Sequence, residues 1–309
     1  MIDTTNLTRK FGNLTAVDSV TLHVGEGEVF GFLGPNGAGK TTTVRMLCCL
    51  IGKTRGEAKI GDYAIDNEND CLKIRKMVGF LPENVGLYDN LSAYRNLDFY
   101  GQLYEVPENK RKENIQRFLT LLGIWERRED PAGTFSKGMK QKLAIARSLI
   151  HDPKVLFLDE PTANLDPEAA KTVRDFVLEL KKEKRTIFIN THNLDEAERL
   201  CDRIAILKTK LIVVDSPKNL EHSLYNRKTI VHLDRVTDKV TAAVKKLSFI
   251  KNVRTMDNKL IIEIDNPEGD NPQLVRTIVE AGGNIQYVTE LKSTLEDVYL
   301  KIIREASAK

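Results

Sequence analysis

Gly34-Pro35-Asn36-Gly37-Ala38-Gly39-Lys40-Thr41-Thr42 follows the apolar run Val29–Leu33 and precedes a segment of helical character. Strand, glycine-rich loop and helix in that order form the setting of a phosphate-binding loop. The glycines let successive backbone N–H groups converge on an anion, and the positive end of the following helix adds to their pull. Lys40 is then placed to neutralise the β- and γ-phosphates of a nucleotide, and Thr41 offers a hydroxyl to Mg²⁺.

Two more short apolar runs, Val155–Leu158 and Thr186–Ile189, also end at polar residues. Such runs read as buried parallel strands, joined by helices and gathering ligands at their carboxyl ends. The first of the two closes in Asp159-Glu160. Alone, an apolar run ending in two acids is an ordinary strand end. Beside a phosphate loop it puts Asp159 at the metal and Glu160 at the γ-phosphate, where a carboxylate acts as general base on the attacking water. Ser136, in Phe135-Ser136-Lys137-Gly138-Met139-Lys140-Gln141, is a good cap for the helix that starts there.

Further out, Ala16–Val24 alternates as an antiparallel strand before the turn Gly25-Glu26-Gly27-Glu28. Residues from about 84 to 150 are rich in helix formers, with Leu97, Leu103, Phe118, Leu119, Leu121 and Leu122 as apolar material, and read as a helical subdomain. Arg203–Leu207 and Lys210–Val214 are strand-like, and the polar stretch Glu221–Lys228 reads as a linker. Beyond it, strand patterns at Thr229–Leu233, Asn252–Met256, Lys259–Ile264 and Ile285–Val288 alternate with helical ones at Asp238–Leu247 and Gln273–Ala281. That order is βαββαβ, a ferredoxin-like α+β domain. Ser293-Thr294-Leu295-Glu296 offers a capping box to a last helix ending near Arg304.

Composition narrows the classes. With 309 residues, 41% of them hydrophobic and 29% charged, the chain has material for about two globular domains. Lys plus Arg number 47 against 44 acids, and a net charge of +3 is too weak to argue for nucleic acid. Apolar stretches such as Met46–Ile51 fall far short of the roughly 18 residues that cross a bilayer. The opening Met1-Ile2-Asp3-Thr4 lacks the basic and apolar regions of a secretory signal, so a cytoplasmic location is expected. Cys48, Cys49, Cys71 and Cys201 hold no C-x-x-C pair and are expected as reduced thiols.

The succession of phosphate loop, Ser136-Lys137-Gly138, Asp159-Glu160, Ala163-Asn164-Leu165-Asp166 and His192 resembles the ATP-binding subunit of an ABC transporter over about residues 1–220. The resemblance implies a P-loop α/β ATPase core with antiparallel and helical subdomains. Its ATP-binding domain would run over 1–222 and a C-terminal accessory or regulatory domain over 228–309. It implies ATP and Mg²⁺ as ligands, and a dimer in which Ser136 and Gly138 contact the nucleotide of the opposite protomer. His192 would touch the γ-phosphate and orient water, and Asp166 would communicate across the dimer. Phe11 takes the place of the adenine-stacking aromatic, with a plain core role as its alternative; Glu83 stands where a glutamine is expected, within reach of Mg²⁺ or water. Glu83, the Ser-Lys-Gly-Met signature and Leu295-Glu296-Asp297-Val298-Tyr299 are similar to drug-, sodium- and antibiotic-exporter ATPases. The implied function is ATP hydrolysis powering a separate integral membrane permease, in a homodimer or heterodimer peripheral on the inner face of the membrane. A soluble ABC ATPase working on nucleic acid or ribosomes is the alternative. It is disfavoured by the single cassette and the absence of a basic arm, and no nucleic-acid partner is expected.

Overall fold

Two long antiparallel strands, β1 (Ile2–Phe11) and β2 (Leu14–Val24), lead into the buried strand β3 (Val29–Leu33) and helix α1 (Lys40–Leu47). The computed structural model describes residues 1–223, 228–291 and 294–308. After α1 come β4 (Arg55–Ile60), β5 (Tyr63–Ala64), α2 (Glu68–Met77) and β6 (Val78–Leu81). Strands β4 and β5 join the opening pair in an antiparallel sheet of order β2-β1-β4-β5. Strands β1 and β4 escape the sequence pattern, because Thr4, Thr5, Asn6 and Thr8 break up the apolar alternation of β1.

Helices α3 (Ala93–Leu103), α4 (Glu108–Leu121) and α5 (Lys137–Leu149) occupy the expected helical region. Leu97, Phe118, Leu119 and Leu122 are buried there, whereas Leu103 and Leu121 are exposed. Both lie near the C-terminal ends of their helices, off the stripe that faces the neighbouring helices, and so leave the expected core.

The rest of the first unit is β7 (Val155–Asp159), α6 (Pro167–Lys182), β8 (Thr186–Thr191), α7 (Leu194–Leu200), β9 (Arg203–Lys208) and β10 (Lys210–Asp215). The central sheet has order β10-β9-β3-β8-β7-β6, parallel throughout except for the edge strand β10. Every residue of β3, β7 and β8 is buried. Phe30, Phe32 and Phe157 pack on Phe188 with ring centroids 5.1–5.4 Å apart. Burying each such ring is worth about 1.5–3 kcal/mol, and the four together hold the strand ends that carry the site. The non-adjacent order β3-β8-β7 makes a crevice at those carboxyl ends, outside Leu33 and Asp159.

A second compact unit runs from Lys218 to Ala308, with the first ending at Pro217. Helix α8 (Pro217–Ser223) starts at the boundary, followed by β11 (Lys228–Leu233), α9 (Asp238–Lys245), β12 (Ile250–Met256), β13 (Lys259–Ile264), α10 (Pro267–Glu280), β14 (Ile285–Leu291) and α11 (Leu295–Ala308). The antiparallel sheet order β12-β13-β11-β14 is that of a ferredoxin-like fold, and Val231, Leu260, Ile262, Leu274 and Ile278 fill its core.

Three local expectations change here. Glu221–Ser223 is helical and Lys228 opens a strand, so the polar composition of the linker hid structure at both of its ends; residues 224–227 lie outside the described residues. Helix α10 starts at Pro267, well before Gln273, because Asn266 accepts from the Gly269 N–H and a proline suits the first helical turn. Ser293 lies outside the described residues; the reciprocal cap at α11 is made by Thr294 and Asp297, each bonding the other's backbone N–H, and the helix runs past Arg304 to Ala308.

Candidate active site

Helix α1 begins at Lys40 after the N-cap Gly39, with no side-chain cap, and Gly39 through Thr42 line a cavity. Gly39 has φ +100°, and a Cβ there would sit 2.4 Å from the Ala16 carbonyl oxygen; only glycine lets the loop close so tightly against β2. Gly34 is equally hemmed in, its imagined Cβ 2.3 Å from the Leu207 carbonyl oxygen. Lys40 is buried, and its Nζ donates to the carbonyl oxygens of Gly34 (2.6 Å) and Pro35 (3.3 Å) inside the loop. Burial pulls the Lys40 pKa below the ordinary lysine value, while the Glu160 and Asp159 carboxylates pull it back up. A cationic amine beside the start of a helix that no side chain caps fits a polyphosphate chain.

Above this loop lies a cavity of about 700 Å³. It is lined by Asn36, Gly37, Ala38, Gly39, Lys40, Thr41 and Thr42 on one side and by Glu83, Asp159, Glu160 and His192 on the other, with Phe11 at its mouth. Phe11 is 44% exposed, which removes the core alternative. The Arg9 guanidinium stands 4.5 Å from its ring centroid and is anchored on the Gly52 carbonyl at 2.7 Å. One face of the ring is thereby occupied by a cation, leaving the other for a flat heterocycle.

Strands β7 and β8 supply the acidic side. The Thr41 hydroxyl donates to Asp159 Oδ2 at 2.9 Å, and Asn190 Nδ2 donates to Asp159 Oδ1 at 3.2 Å. Hard oxygen donors from Thr41, Asp159 and Glu83 around one cavity suit Mg²⁺. Glu160 has φ +51°, a left-handed backbone that costs of order 1–3 kcal/mol in a non-glycine residue. Its N–H is held by the Asn190 carbonyl at 2.9 Å, and the turn aims the carboxylate at His192, whose Nδ1 lies 2.8 Å from Glu160 Oε1. Behind them Thr191 Oγ1 donates to the buried Glu196 at 2.9 Å, and burial raises the Glu196 pKa above the usual carboxylate range. Asn190, Thr191, Glu196 and Arg9 were not anticipated. The polar ends of β8 gave the only hint, and their bonds to Asp159 and Glu160 span 31 residues of chain.

The structure does not bring every expected residue together. Ser136 caps α5 by accepting from the Met139 N–H, and Gly138 lies against Ala169 and 3.8 Å from Asp166 Oδ2 by its imagined Cβ. Asp166 itself caps α6. None of the three lines the cavity. They form a separate edge at the start of two helices.

Residues 17–163 match the ABC transporter family, and residues 217–303 match the C-terminal domain of DrrA1-3-like ATP-binding proteins. The chain is 34% identical over 307 residues to an uncharacterised ABC transporter ATP-binding protein of Bacillus subtilis, YhcH, covering 99% of this chain and 96% of that one. It is 33% identical over 305 residues to the bacitracin transport ATP-binding protein BcrA of Bacillus licheniformis, covering 98% and 97%. Among solved structures, the dimeric post-hydrolysis state of the ATP-binding cassette MJ0796 bound to ADP and Pi superposes with a TM-score of 0.64 at 25% identity, over 70% of this chain and 98% of that one. This chain therefore belongs to the ATP-binding subunits of ABC transporters, ATPases that dimerise and work with a membrane permease.

Proposed function

We propose that this subunit binds MgATP with its adenine against Phe11 and its phosphates in the loop from Gly34 to Thr42, and that it powers export. The Glu160–His192 pair, 2.8 Å apart across the cavity from the uncapped start of α1, carries the reading. Glu160 accepts the proton of a water aimed in line at the γ-phosphate, ADP leaves, and phosphate is released. His192 holds the Glu160 carboxylate and the water in register. Lys40 exchanges its loop carbonyls for phosphate oxygens, so the charge that develops meets a pre-placed cation. Thr41 and Asp159, with Glu83, would hold Mg²⁺, which supplies charge neutralisation at the phosphate oxygens.

The position of Ser136, Gly138 and Asp166 outside the cavity supports their use in trans, on the nucleotide of a second cassette, which is either identical or a different ATPase chain. The proposed division is an ATP-binding domain over 1–222 and an accessory one over 228–309, although the second compact unit already begins at Lys218. Similarity to the bacitracin transport protein and to the probable multidrug ATP-binding protein YbhF of Escherichia coli supports export. No helix among the described residues is long and apolar enough to cross a membrane. The relatives' role as ATP-binding subunits supports placing the permease in a second chain, with this subunit on the inner face of the membrane.

The docking surface we assign follows Glu83. Tyr88 is 48% exposed and packs edge-on against Phe99, Ser92 caps α3 beside it, and Tyr94 in the first turn of that helix is half-buried. Changing Tyr88 and Tyr94 to Asp should leave ATP hydrolysis of the purified chain intact while transport stops and the protein leaves the membrane fraction. Retention on membranes with transport intact would refute this surface. A wild-type chain that never associates with membranes would refute the transport role itself.

A further inference from the structure

The sheet of the C-terminal unit has two edges of opposite character. The outer edge β12 carries Lys251 and Arg254, both exposed, and charges of this kind discourage strand pairing. The other edge, β14, pairs only with β11 among the described residues. Its stretch Gln286-Tyr287-Val288-Thr289-Glu290 is exposed throughout and holds no Lys, Arg or Pro. The single register irregularity lies at its start, near Ile285, so the remainder is a straight edge.

Val288 sits opposite Val231, which is fully buried, yet is itself 39% exposed. It marks the open margin of the core, where a further strand would continue the apolar layer. On the other face Tyr287, 67% exposed, is braced edge-on by His232 at 6.0 Å between ring centroids.

We propose that β14 pairs antiparallel with β14 of a second copy of this chain, about an axis at Val288, joining the two four-stranded sheets into one of eight strands. In that register Val288 faces its own counterpart, Tyr287 faces Thr289 across the axis, and Gln286 faces Glu290. No like charges are opposed. The same operation on β12 would crowd two lysines and two arginines into one ribbon, which like-charge repulsion disfavours. The paired segment is only about 23 Å long for seven residues at 3.3 Å each, and such a contact is small beside a standard interface of about 1,600 Å². It holds only between chains already tethered, and the inference therefore rests on the pairing of two ATPase cassettes, which raises the local concentration of one β14 around the other. The accessory unit thus acts as a brace between two identical subunits.

Cysteine cross-linking of the full-length chain tests this. Cys48, Cys49 and Cys201 are buried and Cys71 is half-buried, so the wild type gives a low background. Val288→Cys under mild oxidation should form a disulfide-linked dimer several-fold more than Arg254→Cys on the far edge, because facing Cβ atoms on paired strands come close to disulfide range. MgATP should increase the yield, and Val288→Lys should lower dimerisation while leaving ATP binding unchanged. Equal cross-linking at 254 and 288, or cross-links from position 288 to a different protein in membranes, would overturn the proposal. Loss of ATP binding in the wild type would instead strike the ATPase reading, so the two failures are distinct.

Discussion

Replacing Asn190 with alanine removes the amide that steadies Asp159 from behind. Asn190 is fully buried, its Nδ2 donates to Asp159 Oδ1 at 3.2 Å, and the Thr41 hydroxyl is left as the other partner of that carboxylate. A hydrogen bond to an ionised group is worth about 1.5–3 kcal/mol. Taking about 2 kcal/mol, a unit of this size should lose about 4–8 °C in Tm. The functional loss should be larger in effect, because a residue that positions a metal ligand typically contributes about 10–100-fold in metal affinity. The assay compares ATP affinity in excess Mg²⁺ with affinity in EDTA, for wild type and Asn190→Ala. Affinity should fall about 10–100-fold with Mg²⁺ and little without it, since the phosphate cradle of α1 is untouched. Equal weakening in both conditions would show that the variant merely loosens the fold, and no weakening in either would refute the role of Asn190 at Asp159.

Phe11→Ala should weaken ATP binding by about 1–3 kcal/mol, the usual worth of a base–aromatic stack, whereas Phe11→Tyr should preserve it; a fluorescent ATP analogue titrated into each variant reads the difference. Ser136→Arg should block ATP-driven dimerisation in light scattering while the dilute monomer binds ATP as before, and a collapse of monomer affinity would contradict its role in trans. Deleting residues 228–309 should leave a unit that unfolds cooperatively and is shifted upward in Tm by MgATP; an insoluble or nucleotide-blind fragment would show that the two units depend on each other.

The parts legible in the sequence are those written in consecutive residues. The glycines at 34, 37 and 39, the lysine after them, and the four apolar residues before Asp159 each announce a local geometry with one use. Strand β1 was not legible, because its run of polar residues hides a partnership with β2 and β4 that only tertiary pairing reveals. Asn190 and Glu196 were missed for a different reason: a side chain that acts through Asp159 or Thr191 leaves no local pattern, only a contact between neighbouring strands. The exposed Leu103 and Leu121 show the reverse error, in which composition counted as core what helix phase turns to solvent. The helix at Pro217–Ser223 lay under a run of polar residues that read equally well as linker.

The most direct test of the central claim is phosphate release by the purified chain and its Glu160→Gln variant at saturating MgATP, with dimerisation followed in parallel. Glutamine keeps the size of the side chain facing His192 but cannot take the proton of the attacking water. Turnover should fall by about 10²–10⁴-fold while ATP-dependent dimerisation persists. Undiminished steady-state hydrolysis in Glu160→Gln would contradict the assignment of Glu160 as the base on which this ATPase runs.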